Sequence, residues 1–169
     1  MTRTAYIFMD FDGVTHPWGE VEDFRCLPRI EAVVREFPEA RIVIASDWRM
    51  LFSMQKLMAR FSEDVRPQIA GATPHMLPKT GAELHGLRER EAMLWLAQHE
   101  ANPAEAAWCA IDDAPGNWLS RSRLILTDFK RGFTVEDAHA LRRMLLGLRV
   151  GMVRPAEPAA TSLWARNIA

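Results

Sequence analysis

The chain has 169 residues, a length that suits one domain, and 49% of them are apolar, enough for a core. Lys and Arg number 21 against 22 Asp and Glu, so the net charge of −1 leaves no electrostatic footprint for non-specific nucleic-acid binding. Cys26 and Cys109 stand far apart and read as reduced, packed thiols, and the five histidines form no zinc-binding pattern. No apolar run approaches the ~20 residues that cross a bilayer and no signal-peptide layout is visible, so a cytoplasmic protein without a membrane partner is expected.

Residues 5–9 form a continuous apolar run ended by Asp10, the pattern of a strand covered on both faces. Pro28 suits the first turn of a helix, and Ile30, Val33, Val34 and Phe37 share one helical face until Pro38 stops it. A second strand is predicted over 41–46, ending at Ser46. Met50, Leu51, Met54, Leu57, Met58 and Phe61 recur at helical spacing and are expected in the core. Residues 65–80 read as irregular, with a short strand near 68–70. A helix follows over 88–99, with Ala92, Met93 and Leu96 inward. The strand at 107–111 ends in Asp112-Asp113, and the last strand is predicted over 123–127. Thr134 and Asp137 have the spacing of a capping box, and the helix they open carries Ala138, Leu141, Leu145 and Leu148. Alternation of strand and helix defines an α/β domain over 1–150 with a mostly parallel sheet. Residues 151–169 read as a loosely packed or disordered tail with Trp164 as its anchor.

In an open parallel sheet, ligands bind beyond the carboxyl ends of the strands. Three predicted strands end there in pointed chemistry: Asp10 and Asp12, Ser46, and Asp112-Asp113. They converge if the strands are neighbours. Asp10 and Asp12 are two apart on extended chain, so both side chains leave one side, and Gly13 then allows a sharp turn. Two carboxylates ~4 Å apart repel by ~4 kcal/mol at an effective dielectric near 20. A third, from Asp112 or Asp113, adds to this, and a cation relieves it. All these ligands are hard oxygens, which favours Mg²⁺. His16 is expected to be a loop histidine bonded to backbone, and Trp48 a packed side chain rather than a stacking platform for a base.

Met9-Asp10-Phe11-Asp12-Gly13-Val14 resembles the first motif of the haloacid dehalogenase-like (HAD) phosphohydrolases. Ile42-Val43-Ile44-Ala45-Ser46 resembles the second motif, and Ala110-Ile111-Asp112-Asp113 the fourth. The stretches from Asp10 to Pro17, from Ser46 to Arg49 and from Ile111 to Pro115 are most similar to small HAD-like domains first described in "Swiss Army Knife" RNA-repair proteins. The resemblance spans residues 5–147. Asp47 departs from it, standing where that family often has a small hydroxyl residue.

The resemblance implies a Rossmann-like HAD fold with helices on both faces of the sheet. It implies Asp10 as nucleophile, forming an aspartyl-phosphate, and Asp12 as the acid and base that serves the leaving oxygen and then water. Mg²⁺ would be held by the Asp10 carboxylate, the Asp12 backbone carbonyl and Asp112 or Asp113. Ser46 would donate to a phosphate oxygen. The phosphate-binding cation of the third motif would be Arg88, with Arg90 and Lys79 as alternatives. Only about fourteen residues separate Asp12 from the Pro28 helix, so no large cap domain fits and the site is expected to be open. That suits a bulky phosphorylated substrate, with a nucleotide or nucleic-acid end within the class. A catalytically silent module that binds a phosphorylated ligand or a partner protein is the competing reading.

Overall fold

A computed structural model of the chain describes residues 3–151. The expected tail over 151–169, with its anchor Trp164, lies outside the described residues from position 152 onward. Five parallel strands form one sheet: β1 (Ala5–Met9), β2 (Ala40–Ile44), β3 (Ile69–Ala72), β4 (Ala107–Asp112) and β5 (Leu124–Leu126), in the order β3-β2-β1-β4-β5. The helices are α1 (Leu27–Arg35), α2 (Trp48–Leu51), α3 (Met54–Met58), α4 (Leu87–His99) and α5 (Val135–Arg149).

Side chains alternate across the sheet, and each face has its own core. Ile7, Met9, Ile42, Ile44, Cys109 and Ile111 pack against α1, α3 and α5. Tyr6, Phe8, Val43, Trp108 and Ala110 pack against Ala92, Trp95 and Leu96 of α4 and against Trp118. All five residues of β1 are buried, which is why the run carries no polar alternation. The α1 stripe of Ile30, Val33 and Val34 is buried, as is Phe37 beyond its end. Each fully buried Ile, Val, Leu or Phe contributes about 1.5–3 kcal/mol through the hydrophobic effect. Thr134 and Asp137 form the capping box of α5, each side chain meeting the other's backbone N–H.

One expected stripe breaks. Residues 50–61 do not make one helix. Phe52 is extended and Ser53 caps a second helix, its hydroxyl accepting from Lys56 N–H. The break changes the phase of the helical repeat. Leu57 and Phe61 stay in the core and Met54 packs against it, but Met50 and Leu51 are 53% and 75% exposed.

Strand order decides where the chemistry gathers. β1 lies between β2 and β4, with Met9 level with both Ile44 and Ile111. Asp10, Ser46 and Asp112 therefore leave the sheet at one edge. Between Asp12 and α1, and again between β2 and α4, the chain inserts no further domain among the described residues.

Candidate active site

Asp10, Asp112 and Asp113 each direct a carboxylate oxygen into one space, the three atoms lying within 4.8 Å of one another. Asp112 is fully buried and held from three sides. Its Oδ1 accepts from Ala114 N–H at 2.7 Å, and its Oδ2 from Trp118 Nε1 at 2.8 Å and Asn117 Nδ2 at 3.2 Å. Asp10 accepts from Phe11 N–H at 2.7 Å, and the buried Ser46 hydroxyl favours its charged form. Burial first, then the facing Asp112 charge, pushes Asp10 well above the usual carboxylate range, against the pull of Ser46, Phe11 and Arg88. Burial likewise raises Asp112. Burial and the Asp112 charge push Asp113 up to about 6.

Gly13 makes this approach sterically feasible. Its φ is +68°, and a Cβ there would lie 2.3 Å from Asp113 Oδ2. Thr127 ties the turn to the far strand by donating to the Gly13 carbonyl at 2.8 Å. The oxygens are hard and their charges repel. Both properties fit a hard divalent cation, which the three deprotonated carboxylates could hold.

Asp12 stands apart from that cluster. Its Oδ1 lies 3.1 Å from His16 Nε2, and its Oδ2 accepts from Trp48 Nε1 at 2.8 Å. His16 thus bonds side chains, contrary to the backbone role expected for it. Its Nδ1 is 3.0 Å from Thr15 Oγ1, and Thr15 donates its own proton to the Phe11 carbonyl at 2.9 Å. The Thr15 hydroxyl has one proton to give, so the imidazole must donate from Nδ1. The Nε2 to Oδ1 contact then carries one proton, on either partner. Trp48 is buried, as expected, and supplies a hydrogen bond besides.

Of the three candidate cations, only Arg88 shares electrostatic contact with Asp10 and Asp112. Arg90 donates to the carbonyls of His85 and Glu83, and Lys79 is exposed. Arg88 is nearly buried, its Nη2 is 2.8 Å from Asp47, and its Nη1 is 3.0 Å from Glu91 Oε2. Asp47, the departure from the family pattern, is the outer partner of that arginine. Glu91 is the unexpected member. It is fully buried on α4 and accepts from Arg88 and, at 2.7 Å, from Arg49 Nη2, while Oε1 accepts from Met76 N–H at 3.0 Å. Arg49 in turn donates to the Ser46 carbonyl at 2.6 Å and the Thr73 carbonyl at 2.9 Å, which ties the ends of β2 and β3 together.

A parallel five-stranded sheet with aspartates gathered at the ends of its neighbouring inner strands β1 and β4 is the arrangement of a HAD-like domain. Residues 6–138 match the family described as "HAD domain in Swiss Army Knife RNA repair proteins", and the chain belongs to that family. Searches of curated proteins and of solved structures returned no match.

Proposed function

We propose that the protein is a Mg²⁺-dependent phosphatase that hydrolyses phosphate monoesters through an aspartyl-phosphate on Asp10. The observation that carries this reading is the group formed by Asp10, Asp112 and Asp113, closed by Arg88 and Ser46 at the same sheet edge. Phosphoryl transfer requires mainly positioning and counter-charge, and this edge supplies both. Mg²⁺ held by the three carboxylates and the Asp12 carbonyl would neutralise phosphate charge. Arg88 and Ser46 would hold the equatorial oxygens. Asp10 attacks phosphorus as the bond to the leaving oxygen breaks. Asp12 gives that oxygen a proton, then accepts one from the water that cleaves the aspartyl-phosphate.

The site has no covering domain among the described residues, and Trp18, Leu77, Leu119 and Phe129 stand exposed on the segments that follow the strands. Such an edge suits a phosphate on a bulky carrier. The family description adds support for a nucleic-acid end. The test is a panel of aryl phosphates, mononucleotides and terminally phosphorylated oligonucleotides, with Mg²⁺ and with chelator. The proposal expects turnover that chelator and Asp10→Asn both abolish. Wild-type turnover by Asp10→Asn would remove the nucleophile. Full metal loading with no turnover across the panel would favour a silent binding module. Faster turnover of mononucleotides than of oligonucleotide ends would exclude end processing as the main reaction.

A further inference from the structure

Resting on the phosphatase reading, we propose that His16 and Trp48 are positioning residues that lock the Asp12 carboxylate in the orientation needed to protonate the leaving oxygen. A carboxyl group turns freely about its last side-chain torsion, which is broad and roughly two-fold. Here that freedom is removed from both sides, by His16 Nε2 on Oδ1 at 3.1 Å and by Trp48 Nε1 on Oδ2 at 2.8 Å. The two clamps come from different strand ends, His16 from the loop after β1 and Trp48 from the start of α2 after β2.

The clamps are themselves held. His16 is 1% exposed, and its far nitrogen is fixed by Thr15, which is fixed by the Phe11 carbonyl. Its ring centroid lies 5.1 Å from that of Phe24 and 6.0 Å from that of Trp48. Trp48 is wedged between Phe11 at 5.7 Å and Phe24 at 5.4 Å. Backbone pairing of Asp12 with His16 closes the loop. The Asp12 side chain nevertheless remains 37% exposed, so part of it still faces the open edge. A chain of rigid, buried groups thus ends on one accessible carboxyl. Supporting contacts of this kind set reactive geometry, and a displacement of ~1 Å costs about 10²-fold in rate.

In the first step Asp10 forms a bond to phosphorus, the bond from phosphorus to the leaving oxygen breaks, its electron pair stays on that oxygen, and the Asp12 proton moves to it. In the second step water adds to phosphorus, the Asp10 carboxylate departs, and the water proton returns to Asp12. Only the first step depends on how basic the leaving oxygen is. A 4-nitrophenolate leaves without a proton, whereas an alkoxide needs one.

The experiment compares first-turnover release of 4-nitrophenol and of benzyl alcohol from their phosphate esters, with Mg²⁺, for the wild type, His16→Gln and Trp48→Phe. Both variants keep most of the buried volume, and their far-ultraviolet circular dichroism and melting midpoints are recorded alongside. Benzyl alcohol release is expected to slow about tenfold or more relative to 4-nitrophenol release in each variant, out of the 10²–10⁴-fold that general acid catalysis supplies. Equal slowing of both esters, or of neither, overturns the inference and leaves the phosphatase reading standing. A variant too unstable to fold is replaced by His16→Asn, read by the same ratio. Wild-type protein that releases neither leaving group, and turns over nothing in the wider panel of phosphate esters, overturns the phosphatase reading, and the inference with it.

Discussion

Replacing Asp113 by Asn should stabilise the metal-free protein and remove its response to Mg²⁺. Three carboxylate oxygens lie within 4.8 Å of one another. Two unit charges at that spacing repel by ~3.5 kcal/mol at an effective dielectric near 20. Asp113 is only partly buried, so solvent screening reduces its share to about 1–2 kcal/mol. The sign follows from the direction of its shift. Its folded-state value rises from 3.8 to about 6, so between these values the folded chain holds a proton that the unfolded chain has released. Stability of the wild type must therefore fall as pH rises through that window, and the Asn variant lacks this portion of the loss. At pH 8 the variant should melt ~2–8 °C above the wild type. Millimolar Mg²⁺ should raise the wild-type midpoint and barely move that of the variant. The assay is calorimetric melting at pH 5 and pH 8, with Mg²⁺ and with chelator. A variant that melts lower at pH 8, or that gains as much from Mg²⁺ as the wild type, would refute the reasoning.

Gly13→Ala places a Cβ 2.3 Å from Asp113 Oδ2 on a left-handed backbone. It should cost ~1–2 kcal/mol in stability and weaken Mg²⁺ binding by about tenfold or more in titration calorimetry; unchanged affinity would mean that Asp113 is free to move away. Arg88→Ala should lower kcat/KM by about 10²–10³-fold, with Arg90→Ala and Lys79→Ala within about threefold of the wild type in the same steady-state assay. A larger loss at either of the other two would reassign the cation. Glu91→Gln leaves two buried arginines facing a neutral amide and should lose about 3 kcal/mol in urea denaturation, with kcat/KM falling as Arg88 loosens. A loss below ~1 kcal/mol would show that Asp47 and the backbone carbonyls suffice to hold both guanidinium groups.

The acidic wall was readable in the sequence because two apolar runs end in aspartate and a third ends in Ser46. Burial on both faces leaves such strands without polar residues until they reach the edge, so the first carboxylates stand out. Their convergence required the order β2-β1-β4, which no single motif states. Glu91 was hidden for the opposite reason, although its partner Arg88 was named by the resemblance. The two interrupt the apolar face of α4, so the helical repeat there reads as a mixed surface although both side chains are buried. His16 was misread because its partners are side chains brought within reach by the Gly13 turn, whereas spacing alone favours backbone. The exposure of Met50 and Leu51 turned on the extended Phe52 and the Ser53 cap, a local choice that a periodic stripe does not record. The resemblance preferred Arg88 to Arg90, and the structure adds the reason the two differ: Arg88 turns to Asp47 and Glu91 while Arg90, on the same helix turn, turns to the His85 and Glu83 carbonyls.

The central claim is a covalent phosphoryl group on Asp10. The direct measurement is acid quench of the protein during turnover of a phosphate ester with Mg²⁺, followed by borohydride reduction and peptide mass spectrometry. An acyl phosphate on Asp10 reduces to homoserine at that position. The account predicts homoserine at position 10 in the wild type, and none with chelator or in Asp10→Asn. Active protein that shows no homoserine at position 10, or shows it at Asp12, Asp112 or Asp113 instead, would contradict it.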